Sequence, residues 1–192
     1  MRIKKHFPPQ LPALMILTDP GRIPDPIGLA RRLPPGTGVI YRHFGSENRI
    51  DIARALVELA ARNALIVLIG GDPILAGRVG AHGVHWPERD MELSRKWRNK
   101  FPIVTSAAHS RRSLAKAAQL PIDAALLSTV FPSKSPSAAT PMGSIRFRDL
   151  SLNSRLPIYA LGGVNAYNQS RISDIAGLAM IEGAVSAYGT KT

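Results

Sequence analysis

Residues 159 to 165 read "YALGGVN", an apolar run that ends in Gly162 and Gly163 and then turns polar. Paired glycines at the end of a strand leave main-chain N–H groups bare, and a helix start nearby adds a positive end. An anion such as phosphate fits that arrangement, and a plain tight turn is the alternative. Seven further apolar runs also end in groups able to bind or react. In chain order these are Thr18 and Asp19, Arg42 and His43, Asp72, His85 with Asp90 beyond it, Ser106 to His109, Ser133 to Ser135, and Glu182 to Ser186. Polar and charged groups at every run end, if gathered on one face, make a site for a charged small molecule.

What gathers them is the alternation of the chain. The apolar runs span 13–19, 37–42, 64–72, 82–86, 101–107, 123–131, 156–163 and 177–183. Helix-like segments separate them, over 27–33, 47–63, 74–81, 91–100, 111–120, 145–154 and 167–177. The clearest is 47–63, where Ile52, Leu56, Leu59 and Ala60 recur at helical spacing. Strands that are apolar on both faces imply a parallel sheet covered by helices. Eight units predict an α/β fold of the (β/α)8 TIM-barrel type, in a single domain over 1–192, with 1–12 as a basic, proline-containing N-terminal segment. The length is short for that fold, which predicts tight connections and one helix reduced to a turn. An open doubly wound sheet is the alternative. In a barrel, function belongs at the strand C-terminal ends.

Composition narrows the function classes. The 192 residues are 45% hydrophobic with mean hydropathy near zero, enough for a buried core. Neither a membrane span nor a secretion signal is supported, and the expected location is cytoplasmic. The absence of cysteine excludes disulfides, thiol catalysis and thiolate-bound zinc. A net charge of +12 invites a nucleic-acid reading. The charge comes in short clusters on helix-like segments, at 31–32, 95–100 and 111–112, with no interleaved stacking aromatics, so nucleic acid is the weaker reading.

The ordered motifs "ALMILTD", Arg42, "GVHWPERD", the serine and histidine of 106–109, "STVFPSKS", "LGGVN" and "EGAVSA" resemble the thiamine phosphate synthases and their sister group, the thiazole tautomerases. The resemblance implies an enzyme of thiamine biosynthesis, a transferase coupling an aminopyrimidine pyrophosphate to a thiazole phosphate with release of pyrophosphate. It implies those two small molecules as partners, leaves a homodimer open, and implies Mg²⁺ as cofactor, weakly held without substrate. Gly162, Gly163, Val185 and Ser186 match the groups that hold the thiazole phosphate, and Ser133, Lys134 and Ser135 match a loop closing over it. Arg42 matches the arginine that grips pyrophosphate, Asp72 and Asp90 the magnesium carboxylates, and His109 the histidine that serves the tautomerases. Arg42, His109 and Lys134 are then the catalytic candidates.

Departures fall mostly on the pyrophosphate side. Ile40 and Phe44 flank Arg42 where the family pattern has a glutamine and a lysine. Gly71 stands for an asparagine, Ala107 for a serine and Pro136 for a lysine. A tautomerase-like enzyme, or a barrel drifted to another phosphate ligand, is the alternative. Residue by residue, Asp72 before Pro73 also suits a helix cap, as does Asp90 before 91–97. His85 suits a packed strand, His109 a helix start, and Lys134 a solvated loop.

Overall fold

The eight strands close into a parallel barrel in the order of the sequence, from β1 beside β2 round to β8 beside β1. The structure is a computed structural model and describes residues 8, 10–133, 135 and 139–189. The strands are β1 (Leu14–Leu17), β2 (Gly38–Tyr41), β3 (Ile66–Gly70), β4 (Gly83–Trp86), β5 (Ile103–Ala108), β6 (Ala124–Leu127), β7 (Ile158–Ala160) and β8 (Gly177–Met180). Each lies within, or within one residue of, an apolar run of the sequence. The expected barrel, not the open sheet, is the fold.

Strand alternation divides the core in two. Met15, Leu17, Ile40, Leu68, Leu126, Tyr159 and Ala179 form one buried cluster inside the barrel. Ile16, Val39, Tyr41, Val67, Ile69 and Leu127 belong to a second, between the sheet and its helices. The inner cluster is closed at the N-terminal end by Leu11 and by the Tyr159 hydroxyl, which donates to the Pro12 carbonyl at 2.6 Å. The opposite end stays open.

The helices are α1 (Pro26–Ala30), α2 (Arg49–Asn63), α3 (Pro73–Val79), α4 (Ser94–Trp97), α5 (Arg111–Ala117), α6 (Gly143–Leu152) and α7 (Glu182–Tyr188). On α2 the fully buried positions are Ala53, Leu56 and Ala60, with Ile52 and Leu59 only partly covered. All four residues of the expected stripe thus face the core, and Ala53 joins Leu56 and Ala60 at its fully buried centre.

Two helix expectations are corrected. Residues 91–100 do not form one helix: a 3-10 turn (Glu88–Leu93), α4 and a second 3-10 turn (Arg98–Lys100) follow one another. Residues 167–177 keep only a 3-10 turn (Gln169–Arg171). There Asn165 Oδ1 accepts from Tyr167 N at 2.9 Å, and Asn168 Oδ1 accepts from Asn165 N at 3.0 Å. Such side-chain bonds to nearby backbone compete with helix formation.

Candidate active site

The open end holds a cavity of about 410 Å³ into which the C-terminal ends of β1, β2 and β4 to β8 converge. Its β6 to β8 side is built of backbone. Gly162 and Gly163 have φ of +94° and +65°, and a Cβ on Gly163 would lie 2.2 Å from the Pro132 carbonyl oxygen and 2.7 Å from that of Phe131. Only glycine fits there. The chain after β6 is fastened to this turn, with Val130 N donating to Leu161 O and Phe131 N to Gly162 O, at 3.0 and 2.9 Å. The amides of Gly162 and Gly163 donate no hydrogen bond among the described residues, which leaves them open to a ligand.

Beside them α7 begins at the end of β8, where a Cβ on Gly183 would lie 2.6 Å from the Val164 carbonyl oxygen. Ile181 precedes it and supplies no side-chain cap, so the leading N–H groups of α7 are not taken by a capping side chain. Gly183 and Ser186 line the cavity with Ser133 and Ser135. Val185, expected with them, is 40% exposed and does not line it. Lys134 and Pro136 lie outside the described residues.

Basic side chains form the other wall. Arg42 is tethered at both ends: its N–H donates to Thr18 Oγ1 at 2.9 Å, and its Nε donates to Thr18 O at 3.1 Å. Asp19 binds two guanidinium groups, Arg22 at 2.9 Å and Arg42 at 3.8 Å, and the hydrogen bond from Arg22 holds its carboxyl below the usual range. Arg22, which the sequence reading passed over, lines the cavity and also reaches Glu182 at 3.8 Å.

His85 lines the cavity floor with its Nδ1 2.9 Å from Thr105 Oγ1. Burial, with Arg42 nearby, pushes its pKa down to about 3, so the ring is neutral. It is a packed strand histidine that also faces the site. His43 does not line the cavity; it is buried and stacks on Tyr41 with ring centroids 5.1 Å apart. His109 does line it, and its Nδ1 is 2.6 Å from Glu88 Oε2.

The two carboxylates expected to hold magnesium stand elsewhere. Asp72 caps α3, with Oδ1 accepting from Leu75 N at 2.9 Å and Oδ2 from Arg49 Nη1 at 2.6 Å. Asp90 sits on the turn after β4 and pairs with Arg89 at 3.3 Å. Neither lines the cavity, and among the described residues no three His, Asp or Glu side chains converge as metal ligands. Both oxygens of Asp72 are committed and its charge is matched by Arg49. The donors as arranged do not fit a Mg²⁺ ion, which wants several oxygens in octahedral array.

Residues 28–184 match the model of the family described as thiamine monophosphate synthase. The chain belongs to the thiamine monophosphate synthase family. Similar proteins include the thiamine-phosphate synthase of Thioalkalivibrio sulfidiphilus, 32% identical over 127 residues, which are 65% of this chain and 60% of that protein. The thiamine-phosphate synthase of Clostridium perfringens (strain SM101) is 29% identical over 133 residues, 67% of this chain and 64% of that protein. The matches thus span a little under two thirds of these curated relatives. Among solved structures, the thiamine phosphate pyrophosphorylase from Pyrococcus furiosus superposes with a TM-score of 0.78 at 20% identity, over 93% of this chain and 88% of that one. That likeness supports the barrel fold.

Within this family member, then, the structure brings Arg42, His109, Ser133, Ser135, Gly162, Gly163 and Ser186 to one cavity, and leaves Asp72, Asp90 and Val185 outside its lining. Missed by sequence were Arg22 and Glu88. Arg22 lies in the loop after β1 with no motif around it. Glu88 carries no signal until the turn after β4 is seen beside His109. Gly183, within the segment 182–186 singled out in the sequence, lines the cavity as well.

Proposed function

We propose that the chain is a thiamine phosphate synthase-like enzyme of thiamine biosynthesis. The thiazole phosphate would sit with its phosphate on the amides of Gly162 and Gly163, and the aminopyrimidine pyrophosphate against Arg42. The observation that carries this reading is that one cavity joins an open main-chain cradle to a tethered arginine. In the coupling, the thiazole nitrogen attacks the methylene carbon of the pyrimidine, the N–C bond forms as the C–O bond breaks, and pyrophosphate leaves. Charge grows on the departing oxygens, and a fixed guanidinium stabilises it as it develops. No nucleophilic side chain is required. The partners are small phosphorylated molecules in the cytoplasm. No helix among the described residues is long and apolar enough to cross a membrane.

A second reading, proton transfer on a bound thiazole phosphate of the tautomerase kind, is favoured by the contact between His109 and Glu88 and by the engaged state of Asp72. The test is to supply both substrates with Mg²⁺ and measure thiamine phosphate. Formation of product supports coupling. Tight binding of thiazole phosphate without product removes coupling and leaves the second reading; binding of neither substrate removes both.

A further inference from the structure

His109 stands where β5 turns into α5, with its backbone N–H donating to Ser113 Oγ at 3.0 Å. It lies between two spaces, the main cavity and an adjoining one of about 150 Å³ that it shares with Ser128 and Thr129. Strands β4 and β5 run side by side with Trp86 opposite Ser106, so the turn bearing Glu88 emerges next to the loop bearing His109. The resulting contact, Nδ1 to Oε2 at 2.6 Å, is the ring's sole side-chain hydrogen bond among the described residues, and Nε2 has none. Glu88 makes no other ion pair or hydrogen bond there.

A carboxylate only accepts, so the proton of a neutral His109 must sit on Nδ1. Free imidazole prefers the opposite tautomer, and which nitrogen is bare is set by the bond that the other one makes. We infer that Glu88 is a positioning residue that fixes His109 as the Nδ1–H tautomer, leaving the Nε2 lone pair as the proton acceptor of the cavity. Nε2 takes a proton from an acidic C–H of a bound heterocycle, whose electrons stay in the ring system. The imidazolium formed is held by the Glu88 carboxylate, its N–H exchanges with solvent, and a proton then returns from Nε2 to an atom of the same ligand. No co-reactant is consumed. The chemistry rests on the second reading above; the tautomer does not.

The test uses the whole chain labelled with nitrogen-15 at histidine. Ring-nitrogen shifts of His109 at neutral pH report the tautomer, and deuterium uptake from D₂O into thiazole phosphate reports proton transfer. Both side chains are substantially exposed, so substitution leaves the core intact. In Glu88→Ala the ring is expected to switch to Nε2–H, with the turnover rate of exchange falling by about tenfold or more and thiazole phosphate affinity within about twofold. Glu88→Gln, whose amide oxygen still accepts, is expected to keep the native tautomer while exchange slows, because the imidazolium loses its counter-charge. An unchanged tautomer in Glu88→Ala overturns the inference, and so does unchanged exchange in a native chain that exchanges. A native chain without exchange, in which Glu88→Ala still switches the tautomer, removes the proton-transfer reading of the cavity and supports the positioning role.

Discussion

Arg49 at the start of α2 reaches across to Asp72 at the end of β3, with Nη1 2.6 Å from Oδ2, while the other oxygen of Asp72 caps α3. The carboxylate therefore works for stability in the unliganded protein. Asp72→Ala removes a cap and strands Arg49, whose Nε and Nη2 are already buried without partners among the described residues. The expected loss is about 2 kcal/mol, seen as a lower denaturant midpoint. Asp72→Asn keeps a capping oxygen and is expected to lose less. Millimolar Mg²⁺ alone is expected to leave the native melting temperature unchanged; a rise that Asp72→Asn abolishes would show that the ion displaces Arg49.

The cradle at the end of β7 gives a second expectation. Gly163→Val places a branched side chain against the Pro132 carbonyl and forces φ of +65° on a residue that avoids it. Thiazole phosphate affinity, measured by calorimetry, should fall by about tenfold or more. Gly36→Ala is the control, since φ there is +79° and nothing stands within 4 Å of the new Cβ. It should cost about 1 kcal/mol of stability and leave affinity alone. Equal loss of affinity in both would assign the effect to backbone strain.

How much was legible follows from which interactions are local. All eight strands show in the sequence because a strand covered on both faces must be apolar throughout. Gly162 and Gly163 show because a bare turn after a strand is a local event. Asp72 shows the limit: its type and place before Pro73 suit a cap and a metal ligand equally, and only the arrival of Arg49 from 23 residues away commits its second oxygen. Arg22 and Glu88 were illegible for the same reason. Their meaning depends on loops of neighbouring strands that chain order alone does not align. The helix expected over 167–177 failed because Asn165 and Asn168 turn their own backbone instead.

His85 makes stability depend on acid. Its ordinary pKa is 6.5 and burial lowers it to about 3 in the folded protein. Below about pH 6.5 the unfolded chain takes up a proton that the folded one refuses. The stability that His85 contributes is thus full above that pH and lost progressively as pH falls toward 3, at up to about 1.4 kcal/mol per pH unit. Denaturant midpoints measured between neutral pH and pH 4 should decline, and His85→Gln should flatten the decline. An identical slope in the variant would place the acid sensitivity on other groups.

Arg42 and Arg22 share Asp19 yet differ in how they are held, and that difference predicts different losses. Arg42 has its Nε fixed on Thr18 O at 3.1 Å and its own N–H on Thr18 Oγ1, so the guanidinium plane is set before any ligand arrives. Arg22 depends on two carboxylates, Asp19 and Glu182, either of which an incoming anion would displace or repel. A planar, preset fork suits the paired oxygens of pyrophosphate, and a lysine provides neither the fork nor the tether. Calorimetry with inorganic pyrophosphate is therefore expected to show affinity falling by about tenfold in Arg42→Lys, close to the loss in Arg42→Ala, and by only about threefold in Arg22→Lys. Thiazole phosphate affinity should stay near native in Arg42→Lys, because the place proposed for that phosphate is the Gly162 and Gly163 turn after β7, whereas Arg42 follows β2. If Arg42→Lys binds pyrophosphate as tightly as the native chain, the tethered fork is not what grips the leaving group; if it loses both ligands together, the two phosphates share one subsite.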